Sequence, residues 1–379
     1  MGGVRVSHVG ESYALVDDSG EPFAAVDGFL GFLRARRCSP NTEAAYAYDL
    51  AHFFRFLDVE QITYQEFTPP RALRLLRYLR ELPNRGRARR LRLVPVVVPS
   101  QGQAAPGLAP STVNHIISTV SAFYEYLILA GEWTTIENPI LKVPDQERAR
   151  VSDTHRPFMG YASRQRPVRR AIRVKTPELL PRPLAAEQVE VLMDGIRRRR
   201  DRAMLLLMLK GGLRPGEALC LHLEDVQYGR KRVVIRYRTD HPKGARTKTR
   251  TERVVDLLEP EVLAAVNDYV SNERPRDTGA VHLFLVGGKG PRRAEPLSYQ
   301  ALRRMFTRRC ESLGIREPWV TPHTLRHTHA TRMWEGGMRE LSLQKRLGHA
   351  SPESTRRYTR VSDAVVVAEY LRAIGQVEQ

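Results

Sequence analysis

Two long runs of apolar residues return at every third or fourth position, and that spacing constrains the fold more than any other feature of the chain. Tyr46, Leu50, Phe53, Phe54 and Leu57 form one stripe; Val113, Ile116, Ile117, Val120, Phe123, Tyr124 and Leu127 form another. Each stripe occupies one face of an amphipathic helix, and burial in a core is its ordinary meaning. Ser39-Pro40 offers the first run an N-cap and a first-turn proline. Thr68-Pro69-Pro70 punctuates, and a further helix is predicted from Leu73 to Leu82. Ser111 is placed to cap the second run, and Asn138-Pro139 closes the helical region.

A chain of 379 residues predicts two domains, and four segments are expected. Residues 1–24, Val-rich and broken by Asp17-Asp18-Ser19-Gly20, read as an N-terminal arm, either a short hairpin or loose. Residues 25–140 form the helical domain. Residues 141–183 read as a linker, with nine Lys or Arg against three Asp or Glu from Asp145 to Lys175. Residues 184–379 form the second domain. Its helices are predicted over 184–196, 204–209, 260–270, 298–313, 322–336, 341–347, 352–359 and 364–374. Val233 to Tyr237 and Arg253 to Leu257 alternate like two strands joined by a basic hairpin. The fold class is therefore mainly α with a small β-sheet: a helical domain followed by a mixed α+β domain.

Charge narrows the partner. Lys and Arg exceed Asp and Glu by 19, which points to a polyanion, and nucleic acid is the commonest one. No apolar run approaches the ~20 residues that span a bilayer, so a membrane is not expected as partner. Cys38, Cys220 and Cys310 are odd in number and widely spaced, with no disulfide or zinc pattern, and a reducing cytoplasm is expected. Arg85, Arg87, Arg89, Arg90 and Arg92 crowd one Pro- and Gly-containing stretch, and Arg169 and Arg170 lie in the basic linker. Both groups fit contact with a DNA backbone, and both equally fit plain solvated loops.

Five residues carry the chemistry: Arg214 within Gly-Leu-Arg-Pro-Gly-Glu, His323 and Arg326 within Pro-His-Thr-Leu-Arg-His-Thr, His349 after Leu-Gly, and Tyr358. A guanidinium is always charged and its planar fork of donors matches phosphate oxygens. A phenol attacks only once its proton leaves, and cationic surroundings ease that loss. Singly, each has a blander reading: a surface arginine, a satisfied histidine, a half-buried packing tyrosine. Glu217 is placed to hold Arg214. His327 and His329 raise the question of a metal, but no acidic or Cys ligand is near in sequence, and packing or hydrogen bonding is expected instead. Neither metal nor cofactor is expected.

Taken together, His323-x-x-Arg326, Leu-Gly-His349, Tyr358 nine residues on, and Gly-Leu-Arg214-x-x-Glu217 resemble the tyrosine recombinases, also called phage integrases. The region from about Leu184 onward resembles that family's catalytic domain, and the helices before it are similar to its core-binding, SAM-like domain. The resemblance implies a site-specific recombinase that cuts and rejoins DNA through a 3′-phosphotyrosine link, without metal or ATP. It implies a double-stranded recombination site as partner and a homotetramer on DNA, in a bacterial-type nucleoid. The apolar stripe Val366, Val367, Tyr370, Leu371 and Ile374 either packs at home or, as the resemblance implies, docks on a neighbouring protomer. The family's hairpin lysine matches Lys248 best, with Lys243 as the alternative. Pro215 and the lengthened Arg-rich stretch depart from the family pattern. A mobile-element integrase is the leading expectation. Dimer resolution by a Xer-like recombinase, relaxation by a type IB topoisomerase, a DNA-binding protein without catalysis and a zinc nuclease are the competing readings.

Overall fold

The computed structural model describes residues 3–9, 12–83, 107–133, 135, 137–144, 168–176, 182–247, 251–276, 279–349 and 355. Arg85, Arg87, Arg89, Arg90, Arg92, Lys248, Tyr358 and the helices expected over 352–359 and 364–374 lie outside these residues. The chain divides into two compact units, Met1–Glu178 and Leu179–Gln379.

The first unit opens with an antiparallel hairpin, β1 (Arg5–Val9) and β2 (Ser12–Val16), in register Val6 to Leu15. Val4 and Leu15 are buried in the same core as the helices, so the hairpin is packed in and is no loose arm. Arg55 fastens it by donating to the Val4 carbonyl at 2.7 Å. Helices α1 (Ala24–Ala35), α2 (Pro40–Glu60), α3 (Pro69–Glu81) and α4 (Pro110–Ala130) follow. Ser39 caps α2 as expected, its hydroxyl accepting from Thr42 N at 3.1 Å. Helix α4 differs: Pro110 takes the first helical position behind Ala109, which leaves Ser111 inside the first turn without a capping role. A proline needs no amide partner there, so the helix starts one turn's edge earlier than the hydroxyl implied.

Both stripes are buried except for half-buried Tyr46, and aromatic rings fill the space between them. Phe53 meets Phe67 at 4.9 Å, Phe67 stacks on Tyr124 at 5.6 Å, and Tyr124 meets Trp133 at 4.8 Å. The Tyr124 hydroxyl keeps a partner by donating to the Tyr64 carbonyl at 2.7 Å, as a buried phenol must.

The stretch read as a linker has ends built into this unit. Strands β3 (Lys142–Pro144) and β4 (Val168–Arg170) pair antiparallel, and Ile140 and Ile172 are buried. Asn114 on α4 both donates to the Val174 carbonyl and accepts from Val174 N.

In the second unit, α5 (Ala186–Gly195) precedes α6 (Arg199–Leu209), whose residues from Ala203 to Leu209 are all buried. A central helix apolar all round reads as a continuous run, not a stripe. The short α7 (Pro215–Leu219) leads to a three-stranded antiparallel sheet, β5 (Val226–Gln227), β6 (Arg232–Ile235) and β7 (Arg253–Asp256). Then come α8 (Pro260–Asn272), packed along α6, α9 (Tyr299–Ser312), α10 (Pro322–Glu335) and α11 (Glu340–Leu347). No helix among the described residues is long and apolar enough to cross a membrane.

Candidate active site

Arg214 stands with extended backbone at the turn into α7, and Pro215 takes the first helical position. Glu217, one turn's reach away, bends back so that Oε2 accepts from Arg214 N at 2.8 Å and Oε1 from Arg214 Nη1 at 2.7 Å. The local sequence therefore builds its own clamp: proline sets the helix start, and the third residue supplies the acceptor.

Glu217 is 1% exposed, and it holds more than Arg214. Arg253, the first residue of β7, forks onto both carboxylate oxygens at 2.8 and 2.7 Å. Arg326 of α10 brings Nη1 to 3.7 Å from Oε2. Burial alone would raise the Glu217 carboxyl. The hydrogen bonds and charge of Arg253, then the charges of Arg326 and Arg214, outweigh it and hold the group at about 2. Three guanidiniums around one carboxylate leave a formal +2 in a nearly dry pocket.

Arg326, 3% exposed, is aimed by two carbonyls, Nη1 donating to Gly212 O and Nη2 to Leu347 O, each at 2.6 Å. Arg214 Nη2 donates to Gly348 O at 3.1 Å. Thus the turn after α6 and the end of α11 meet on the two arginines that the sequence singled out. Gly348 ends α11 with φ +62°, and a Cβ there would come within 2.8 Å of the Arg253 guanidinium. Glycine is required at this point both for the left-handed turn and for the room.

His349 follows directly. Its Nδ1 lies 2.9 Å from the Thr355 hydroxyl. Burial first, then the charges of Arg326, Arg214 and Arg253, push its pKa down to about 3. It is a neutral imidazole near pH 7; in the tautomer whose Nδ1 accepts from Thr355, Nε2 carries the proton. His323 is the second residue of α10 and is exposed, whereas Arg326 three positions on is buried.

The hairpin between β6 and β7 is tied down on both legs. Arg238 pairs with fully buried Asp225, and Arg238 N donates to Thr247 Oγ1 at 2.7 Å. On the return leg, the Arg246 carbonyl lies where a Cβ on Gly216 would be only 2.5 Å away, so this segment rests on α7 itself. Lys248 is two residues further along the chain. Lys243 is paired with Glu295. Arg169 and Arg170 lie on β4 in the first unit, Arg169 exposed and Arg170 donating to Ser118 O at 3.5 Å.

Two residues of this network went unnoticed in the sequence. Arg253 is one; its signal is alternation, because it shares the inward face of β7 with buried Val255 and a charge there demands a partner. Arg346 is the second, donating Nε to His329 Nε2 at 3.0 Å and also to the Asp256 and Lys210 carbonyls. His329 was singled out in the sequence: its Nδ1 lies 3.0 Å from Leu209 O, and burial and then Arg346 push it down to about 3. Both of its ring nitrogens are engaged, in keeping with a packing and hydrogen-bonding residue. Among the described residues no group of three His, Cys, Asp or Glu is arranged to hold a metal ion.

Fixed guanidiniums in a buried pocket, held apart by one carboxylate beside a neutral imidazole, have the charge and the donors that suit an anion such as a phosphate diester. The profile of the phage integrase family matches residues 182–364. Transposase A from transposon Tn554 of Staphylococcus aureus is 27% identical over 97% of this chain and 95% of its own length. The tyrosine recombinase XerA of Pyrococcus furiosus is 32% identical over 50% of this chain and 60% of its own length. Among solved structures, the Tn1549 transposon integrase in complex with transposon right end DNA shares the fold with a TM-score of 0.60 at 18% identity, covering 92% of this chain and 99% of that one. A lambda integrase dimer bound to a core site gives 0.54 at 16% identity, over 90% and 97%. Residues 182–364 carry the phage integrase domain of tyrosine recombinases, and these likenesses support an enzyme that cleaves and rejoins DNA strands at specific sites.

Proposed function

We propose that this recombinase moves a mobile element by cutting and resealing double-stranded DNA at the element's ends. The convergence of Arg214, Arg326 and His349 around buried Glu217 carries the reading. Tyr358 attacks the scissile phosphorus, forming a 3′-phosphotyrosine link and releasing a 5′-hydroxyl. Arg214 and Arg326 bind the nonbridging oxygens as negative charge gathers in the five-coordinate transition state. His349 donates its Nε2 proton in a hydrogen bond to the same phosphate. Lys248 protonates the departing 5′ oxygen, and His323 takes the Tyr358 proton. Rejoining runs the same steps backwards with a new 5′-hydroxyl, and the ester link conserves the bond energy between them. Fixed guanidiniums supply the charge that magnesium brings to many phosphoryl transferases.

The transposon setting rests on the likeness to the Tn554 transposase along nearly the whole chain. The enzyme then works in the cytoplasm on nucleoid DNA as a homotetramer. Arg85, Arg87, Arg89, Arg90, Arg92, Arg169 and Arg170 track the backbone in this reading. A duplex carrying the DNA that flanks the gene, nicked so that the cleaved fragment diffuses away, should trap protein joined to DNA through Tyr358. Tyr358→Phe should bind the duplex and yield no adduct; an adduct in that variant refutes the assignment. Truncation after Asp363 should leave cleavage and stop tetramer assembly, and intact tetramers would refute exchange of the C-terminal segment. Identity with XerA supports a second reading, dimer resolution. A plasmid bearing two directly repeated sites separates them: an excised circle requiring the element's ends favours transposition.

A further inference from the structure

We infer that Arg253 is a positioning residue for strand cleavage: by occupying Glu217 beside Arg214 it keeps Arg326 from collapsing onto that carboxylate and so fixes where Arg326 meets the phosphate. This rests on the strand-transfer reading above. The argument is one of acceptor capacity. A carboxylate offers about four lone-pair positions. In Glu217, Oε1 takes Arg214 Nη1 and Arg253 Nη1, and Oε2 takes Arg214 N and Arg253 Nη2. Arg253 thus fills half of the carboxylate, and Arg326 stays at 3.7 Å on its own two carbonyls. Remove the fork of Arg253 and two acceptor positions open on Glu217, whose Oε2 lies 3.7 Å from Arg326 Nη1.

Arg253 is itself immobile. Its side chain is 8% exposed, its Nε donates to the Arg346 carbonyl at 3.1 Å, and it lies against Gly348. One side chain therefore joins β7, which ends the hairpin carrying Lys248, to α7 with Arg214 and to the α11 turn with His349. The groups that face Glu217 are Arg214 and Cys220 from its own turn, Arg253 from β7, Arg326 from α10 and His349 after α11. After burial, Arg253 has the largest influence on Glu217 and it acts to keep the carboxylate ionised. A loss of its fork therefore moves protonation of Glu217 upward in pH, and the acid limb of cleavage should move with it.

The test is single-turnover adduct formation on the nicked duplex by wild type, Arg253→Ala, Arg253→Lys, Glu217→Gln and the double variant Arg253→Ala/Glu217→Gln. A misplacement of about 1 Å costs on the order of 100-fold, so Arg253→Ala should lose about that much while its DNA affinity stays within about threefold of wild type. In the Glu217→Gln background the same change should cost less than about fivefold, because residues acting as one unit do not multiply. Arg253→Lys keeps the charge without the fork and should lose about tenfold, with the acid limb shifted upward. If Arg253→Ala fails to fold by circular dichroism, Arg253→Lys decides. Wild-type rate with an unmoved acid limb in Arg253→Lys overturns the inference, as do losses that multiply in the double variant. A crystal structure of Arg253→Ala tests it without catalysis: Arg326 should close on Glu217 to hydrogen-bonding distance, and an Arg326 still near its original distance overturns it. A wild-type protein forming no adduct sinks the strand-transfer reading instead, and that structure alone then decides for Arg253.

Discussion

The two units bury different materials. The first fills its interior with rings, Phe29, Phe53, Phe56, Phe67, Phe123 and Tyr124 among them, and Glu43 is its one buried charged residue among those described. The second has fewer large rings in its core but buries Arg200, Asp201, Glu217, Asp225 and Arg326. Each of these charges has a partner, since an unpaired one would be too costly to keep. The difference teaches that holding a shape needs only packed apolar area, whereas a site for an anion must hold cations out of water and then stop them from pairing away. Glu217 does the second job with one carboxylate for three guanidiniums. The ring-filled unit makes no comparable arrangement among its described residues.

The sharpest way to break this comparison is one substitution in each unit. Phe123→Ala should cost about 3–5 kcal/mol, the usual range for emptying a core aromatic site. Glu217→Ala should cost a similar ~3–5 kcal/mol, because it strands buried cations, and should also lower cleavage by about 100-fold or more. Urea unfolding with hydrogen exchange read unit by unit checks both. Phe123→Ala protein that remains folded at low temperature should cleave a pre-bound duplex at the wild-type rate. If instead both substitutions cut the cleavage rate alike, the division of labour between the units is wrong.

Acid should separate the units next. His329 is 1% exposed and held at about 3, against an ordinary imidazole near 6.5. Between those two values the unfolded chain binds the proton and the folded chain does not, so stability is full above pH 6.5 and falls as pH drops. From pH 6.5 to 5 this one ring should remove about 2 kcal/mol. His349, held at about 3, and His241, pushed down to about 4 chiefly by burial, act in the same direction. Glu217 adds its loss lower, between about 4.3 and its folded value of about 2. The second unit should therefore lose protection from exchange at pH 5 well before the first. The slope should flatten in His329→Phe, whatever that change does to stability at pH 7; an unchanged slope sinks the assignment of a buried neutral imidazole.

What could be read in the sequence follows the same division. The stripes of α2 and α4 announced the ring-filled core, because period and residue type suffice to place apolar side chains. Arg214, Glu217, Arg326 and His349 were legible as a set because their spacings are family spacings, and the structure brings these four together. Arg253 and Arg346 were not, since their importance lies in carbonyls and carboxylates distant in sequence: Arg253 to Glu217, Arg346 to Asp256 and Lys210. The linker reading missed the pairing of β3 with β4 for a related reason, as three-residue strands in a basic stretch carry no alternation worth counting. Ser111 was misjudged as a cap because the proline before it took the helix start.

Capping offers the smallest test, and one in which the units should not differ at all. Ser39 accepts from Thr42 N at 3.1 Å in the first unit, and Ser298 accepts from Ala301 N at 3.2 Å in the second. Both hydroxyls satisfy a backbone donor that the helix itself cannot pair. The interaction is confined to one turn and is blind to whether rings or ion pairs fill the core beyond it. Ser39→Ala and Ser298→Ala should each cost about 1 kcal/mol, read as equal shifts in the urea midpoint of the unit concerned. A cost at Ser298 several times that at Ser39 would mean that α9 is coupled to the charged network. The contrast between the units would then reach into local helix formation, where a turn-by-turn account leaves no place for it.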